Sequence, residues 1–251
     1  MSNATERADL PGQGGFRVGD QLARTFGVLG RNLAVLMLIA LPLAALSALL
    51  NGALGLDAAS DQGGRAIAVA IAGIVIGIAL YSLCEAMVVY VAVQAMRGRP
   101  VQLGETLAAS LPRVIPVLVL SILSTILIML GGVLLVIPGL MVMTMMFVAQ
   151  PACVVERLGP IASISRSAEL TRGYRWRVFG VILLILILQG VVGAAIGFAF
   201  HGGGGLPAGI VNAVWDAFTM AFGSVACAVV YHDLRVVKEG VDIEQIAAVF
   251  G

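Results

Sequence analysis

This sequence has little charge, and it keeps what it has out of its long apolar runs. Asp, Glu, Lys and Arg make up 12% of the 251 residues, hydrophobic residues make up 60%, and the mean hydropathy is +1.03. A water-facing surface is not built from that balance, so a soluble globular domain is excluded. No Lys, Arg or His falls inside any long run of Leu, Ile, Val, Ala and Met. Cysteine is equally sparse. Cys84, Cys153 and Cys227 all sit within apolar runs and lack metal-ligand spacing, which argues against a disulfide or metal framework and for small packing residues. The net charge is +1, with no basic face free of the apolar runs, so nucleic acid is not an expected partner. No cleavable signal is evident, because the first apolar run starts only after residue 31 and is too long for a signal h-region.

What remains is apolar sequence long enough to cross a bilayer. Runs of roughly 18 to 25 residues match the hydrocarbon thickness. Six candidates follow, at about 32–55, 66–96, 114–136, 138–155, 178–200 and 208–231. The third and fourth form one block, divided at Gly131, Gly132, Pro138 and Gly139, where Pro-Gly favours a tight reversal.

The gaps between runs set the orientation. Arg17, Arg24 and Arg31 precede the first; Arg97, Arg99 and Arg113 separate the second and third; Arg157, Arg166, Arg172, Arg175 and Arg177 separate the fourth and fifth; Arg235 and Lys238 follow the sixth. The alternate gaps hold only Arg65, with Asp57 and Asp61 near it. Cations in every second short gap place both termini in the cytoplasm, as an even number of spans requires. His201 and His232 then fall on opposite faces, which argues against a two-histidine metal site.

Three domains are expected: a disordered cytoplasmic tail at 1–15, one six-span membrane domain at 16–236, and a cytoplasmic tail at 237–251 whose Asp242 caps a short amphipathic helix. Before each odd-numbered span the pattern predicts an interfacial amphipathic helix. The first carries Val18, Leu22, Phe26 and Leu29 opposite Arg17, Asp20 and Arg24. The second carries Leu103, Leu107, Leu111 and Val114, edged by Glu105 and Arg113. The third opens at Pro160, stops at Gly173, and sets Ile161, Ile164 and Ala168 against Arg166, Glu169 and Arg172, with charge pairing at three-residue spacing. The expected fold is therefore an all-α polytopic membrane bundle of three pseudo-repeated units, each a surface helix followed by a membrane hairpin. Thr25, Ser110 and Thr171 stand a few residues before the odd spans.

The stretch from Gln150 to Val178, with Pro151, Val155-Glu156, Gly159-Pro160, Arg166-Ser167, Glu169-Leu170-Thr171, Arg172-Gly173 and Trp176, resembles the bacterial glycerophosphoryl diester phosphodiesterase membrane domain family and its six-span relatives. Tyr231-His232-Asp233-Leu234-Arg235, followed by Glu239-Gly240 and Asp242, is similar to that group's C-terminal signature. Some members of the family join this region to a soluble phosphodiesterase domain. No such domain is expected in the present sequence, so the resemblance implies the membrane fold and does not transfer an activity.

Two acids lie inside runs. An acid at a helix centre opposes insertion by ~2.5–3.5 kcal/mol, which the apolar residues of span two outweigh. Glu85 has Tyr81 and Ser82 one turn before it. Asp216 belongs to a face with Asn212, Thr219 and Gly223. At ~1.5 Å rise per residue, Glu85 is about 16 Å and Asp216 about 24 Å from the cytoplasmic helix ends, too far apart in depth for a direct hydrogen bond. These residues read either as a hydrated proton or substrate path or as acids that fix helix packing. Gly73 with Gly77, and Gly193 with Gly197, have the small-xxx-small spacing of close helix approach. His201 with the four following glycines reads as a flexible turn, since no Lys-Ser or Lys-Thr follows to make a phosphate loop.

Arg166, Arg172, Arg175, Trp176 and Arg177 combine phosphate-binding guanidinium groups with an interfacial aromatic ring, and are the lipid-headgroup candidates. There is no His-Asp set, metal-binding helix or Ser-Lys pair, so no enzyme and no cofactor is expected. The expectation is a protein of the bacterial inner membrane that organises lipid, anionic lipid included, or a membrane protein partner. The alternative is a small-solute or proton-coupled transporter or channel using Glu85 and the Asn212, Asp216 and Thr219 stripe.

Overall fold

The computed structural model describes residues 18–53, 64–98, 103–134, 136–199 and 206–239. The expected N-terminal tail, the C-terminal tail beyond Glu239 with the helix after Asp242, and the His201 turn lie outside the described residues; residues 237–239 of the expected tail are the end of α9. Among the described residues every regular element is helical: α1 (Val18–Ala53), α2 (Gly64–Met96), α3 (Leu103–Ser110), α4 (Val114–Leu134), α5 (Val136–Met146), α6 (Ala149–Val155), α7 (Pro160–Thr171), α8 (Arg175–Ala199) and α9 (Leu206–Glu239). A 3-10 turn at Leu111–Arg113 joins α3 to α4. Six stretches are long and apolar enough to cross a membrane: Val18–Leu46, Ile76–Met96, Gly104–Gly132, Pro138–Val155, Arg175–Ala199 and Gly209–Glu239.

The expected reversal between the third and fourth spans is present. Helix α4 ends at Leu134 and α5 begins at Val136, two residues before Pro138, which is tolerated in a first turn whose N–H groups have no helical partner anyway. The two helices then close on their glycines. A side-chain carbon added at Gly139 would lie 2.9 Å from both the Cα and the N of Gly132. Only hydrogen fits there.

Span four is two helices, broken at Phe147 and Val148. The cause is Pro151, which has no N–H to give to the carbonyl four residues back. That carbonyl, on Phe147, takes the Cys227 thiol of α9 instead, while the neighbouring carbonyl of Met145 takes the Ser167 hydroxyl of α7. The break thus ties span four to two other helices, and Cys227 has a polar role beyond packing. All three cysteines are buried and free.

The first interfacial helix is not a separate element. Residues 18–29 are the opening turns of α1 and run unbroken into span one. Gly27 and Gly30 each cost only ~1 kcal/mol relative to alanine, too little to stop a helix held along its length by α9. The buried face is also shifted from the expected stripe. Gln21, Thr25, Val28 and Leu29 are buried, whereas Phe26 is half exposed with its ring 5.0 Å from Phe222. Leu107 of α3 and Leu111 of the 3-10 turn after it face outward while Thr106 and Ser110 are buried. In α7 Ile161 faces outward while Ser163, Ser167, Leu170 and Thr171 are buried. Exposed apolar residues thus lie on the outer side of these helices, and small hydroxyls occupy most of the protein-facing positions.

One device recurs in all three units: a buried polar pair four residues apart before each odd span, namely Gln21 with Thr25, Thr106 with Ser110, and Ser167 with Thr171. Thr25 and Thr171 donate to the carbonyl one turn back, which satisfies their hydroxyls inside a tight contact. Helix α7 starts at Pro160 after Gly159 and gives way at Gly173, whose φ of +87° suits glycine.

Helix α9 is the centre of the bundle. Ala217, Ala221, Phe222, every residue from Val225 to Tyr231, and Leu234 are buried against α1, α2 and the span-four helices. Gly193 of α8 admits Trp215 of α9, whose ring nitrogen would lie 3.3 Å from an added side-chain carbon, whereas an added carbon at Gly77 or Gly197 meets nothing within 4 Å, so the small-residue spacings do not mark close backbone crossings.

Candidate functional site

Polar chemistry gathers at two places. The first is the end of the bundle where the start of α1 meets the end of α9. Gln21 and the Arg24 guanidinium both donate to Asp233, the latter at 2.8 Å, and His232 Nδ1 lies 3.1 Å from the same carboxylate. Both ends of the described chain therefore lie at one end of the bundle.

Beside them is a closed charge network. Arg166 Nε donates to both Glu156 oxygens at 3.0 Å, and a second guanidinium nitrogen donates to Glu239. Arg235 Nε donates to Glu239 Oε2 at 3.0 Å, and its Nη1 donates to the Tyr231 hydroxyl at 3.3 Å. Tyr231 in turn donates to Glu156 Oε1 at 2.7 Å. Burial works against the charge on Arg166, but the bonds to Glu239 and Glu156 outweigh it and hold the group above its ordinary pKa. The expected Arg166–Glu169 pair forms at 3.7 Å. The Glu169–Arg172 pair does not appear among the described ion pairs, and Lys238 donates to the Glu169 carbonyl. The network locks α6, α7 and α9 together, and it joins the two distant stretches on which the family resemblance rests.

This geometry divides the lipid-headgroup candidates. Arg166 is committed inside the network. Arg172 lies on the turn from α7 into α8 and Arg175, Trp176 and Arg177 open α8, where Trp176 is 84% exposed and packs edge-on to Phe179 at 6.1 Å. Arg177 lies over the Tyr174 ring at 5.6 Å. The Arg175 Nε is buried with no hydrogen-bond partner among the described residues.

The second place is a cleft of about 450 Å³ between α1, α2, α8 and α9. Tyr81, Gln189, Asp216 and Thr219 line it together with apolar side chains, so Tyr81 of span two does meet the Asp216 and Thr219 stripe. Asn212 is exposed and outside the cleft. Glu85 is also outside it, 8% exposed within the bundle near Cys227, with one carboxylate oxygen lacking a partner. Ser82 serves its own helix, donating to the Ile78 carbonyl at 2.8 Å, with Ser121 of α4 at 3.4 Å. The cleft thus holds Asp216 without Glu85. Gln189 is a cleft residue that the sequence reading passed over. It donates to the Thr219 carbonyl at 3.1 Å, and its only signal in the sequence is a lone amide in an apolar span.

Among the described residues no group of His, Cys, Asp and Glu is placed to hold a metal ion. Fold and polar sites together define an all-α, multi-pass membrane protein. Comparison with protein-family models, curated proteins and solved structures returns no match.

Proposed function

We propose that this chain is a non-enzymatic protein of the bacterial inner membrane, related to the glycerophosphoryl diester phosphodiesterase membrane domain family, that gathers anionic lipid headgroups at the turn from α7 into α8. One observation carries the reading: Arg172, Trp176 and Arg177 are exposed together where α7 gives way to α8, with Arg175 between them. Exposed guanidinium groups favour a phosphate, and an indole at that position suits the headgroup boundary.

Each arginine near an anionic surface contributes about 1 kcal/mol, or about fivefold in affinity. The expected result is that native mass spectrometry finds phosphatidylglycerol retained over phosphatidylcholine, and that Arg172→Gln, Arg175→Gln and Arg177→Gln together remove the preference. Equal retention by the triple variant and the parent would end the proposal. Arg166 stays unchanged in this test because of its structural contacts.

The same reading places the charged end of the bundle in the cytoplasm, supported by the cations of Arg24, Arg166, Arg172, Arg175, Arg177, Arg235 and Lys238 there. A reporter at the last residue is expected to read cytosolic, and one inserted at Gly204 to read external. A shared compartment for the two would reject the orientation. Passage of a solute is the second reading, favoured by the Asp216 carboxylate on the wall of the cleft.

A further inference from the structure

We infer that the cleft between α1, α2, α8 and α9 is a binding site for an organic monocation with an apolar body, its cationic centre held by Asp216. This goes beyond the lipid proposal and deepens the second reading by naming a ligand class.

The argument starts from depth. Asp216 lies ten residues into α9, about 15 Å along the helix at ~1.5 Å per residue. An acid at such a depth is costly unless something answers its charge. Its carboxylate has no hydrogen-bond or ion-pair partner among the described residues, and Asp216 is the one charged side chain among those lining the cleft. Two of the polar groups lining the cleft are engaged with main chain: Thr219 donates to the Asp216 carbonyl at 3.0 Å, and Gln189 donates to the Thr219 carbonyl. The six spans supply no Lys, Arg or His at this level. Asp216 is exposed on the cleft wall, so a cation that enters the cleft can reach its carboxylate.

The shape and lining decide what kind of cation. About 450 Å³ is the size of a small-molecule pocket, for which the usual range is ~300–1,000 Å³. A calcium or magnesium ion would need about six oxygen ligands, and one carboxylate with two engaged neighbours does not provide them. The remaining walls include Leu43, Leu80, Ile185 and Met220, which favour an apolar body. The ring of Tyr81 on the α2 wall adds a surface of the kind that attracts alkylammonium groups.

The probe is radiolabelled benzyltrimethylammonium, bound to the full chain in lipid nanodiscs and measured by equilibrium dialysis against empty nanodiscs. Saturable binding at one site per chain is expected. Asp216→Asn, which keeps the shape, should weaken it roughly tenfold or more, the loss of one ionic contact, while Asp216→Glu should retain it. Binding no greater than to empty nanodiscs, or binding unchanged in Asp216→Asn, would overturn the inference. If Asp216→Asn fails to assemble, Leu80→Trp fills the cleft and leaves the charge; it should abolish binding, and unaltered binding there would equally overturn the site. Uptake of the same probe into proteoliposomes is a separate readout. Asp216-dependent binding without uptake keeps the site and removes the transport reading.

Discussion

Replacing Arg166 with Gln is expected to lower stability by about 2 kcal/mol, a value between the range for exposed ion pairs and that for fully buried ones. The side chains of Arg166, Glu156 and Glu239 are between 18% and 24% exposed, which places them between those limits. Without the guanidinium, Glu156 and Glu239 face each other with only Arg235 between them. The penalty comes mainly from those stranded carboxylates. Adding Glu156→Gln to Arg166→Gln should therefore recover part of the loss, and a thermal-unfolding double-mutant cycle in detergent measures the coupling. Strict additivity of the two losses would show that the network contributes nothing as a unit. The family-like stretches ending α6, in α7 and at the end of α9 would then need a different reason to meet.

Gly139→Ala is expected to cost about 1–3 kcal/mol, the range for overpacking a close contact. The added carbon would meet the backbone of Gly132 and Gly131, which cannot rotate aside as a long side chain can. Helices α4 and α5 must separate to admit it. Gly132→Ala is the internal control, since a carbon added there meets nothing within 4 Å. Its sign should be neutral or favourable, because alanine is the better helix former by ~1 kcal/mol. Equal effects at the two glycines, measured by thermal unfolding, would refute the close crossing of the hairpin.

The positions of the spans were legible because they rest on length and hydropathy, quantities that need no partner. The reversal near Pro138 and the limits of α7 at Pro160 and Gly173 were legible for a similar reason, since proline and glycine act through their own backbone. Inward-facing sides were not. In water an apolar stripe turns toward the protein, but beside lipid Leu107, Leu111 and Ile161 gain nothing by burial in the bundle. Thr106, Ser110, Ser163 and Ser167 take the inner positions because small side chains let helices approach closely.

Candidate residues divided on the same principle. That Arg166 belongs with the cluster before span five can be read from its number, yet its engagement by Glu156 and Glu239 depends on how α6, α7 and α9 meet. Glu85 and Asp216 look equivalent as isolated acids in apolar runs, and only packing puts one inside the bundle and the other on a cleft wall.

By itself, then, the sequence determined that the chain is helical, that it has six stretches able to cross a bilayer, and where the reversal near Pro138 and the start of α7 fall, because solvation and backbone geometry act residue by residue. Tertiary structure alone decided which polar groups are spent on one another and which remain open to a ligand. Hydrogen bonds and ion pairs act only over a few ångströms, and the partners here lie up to 212 positions apart in the chain.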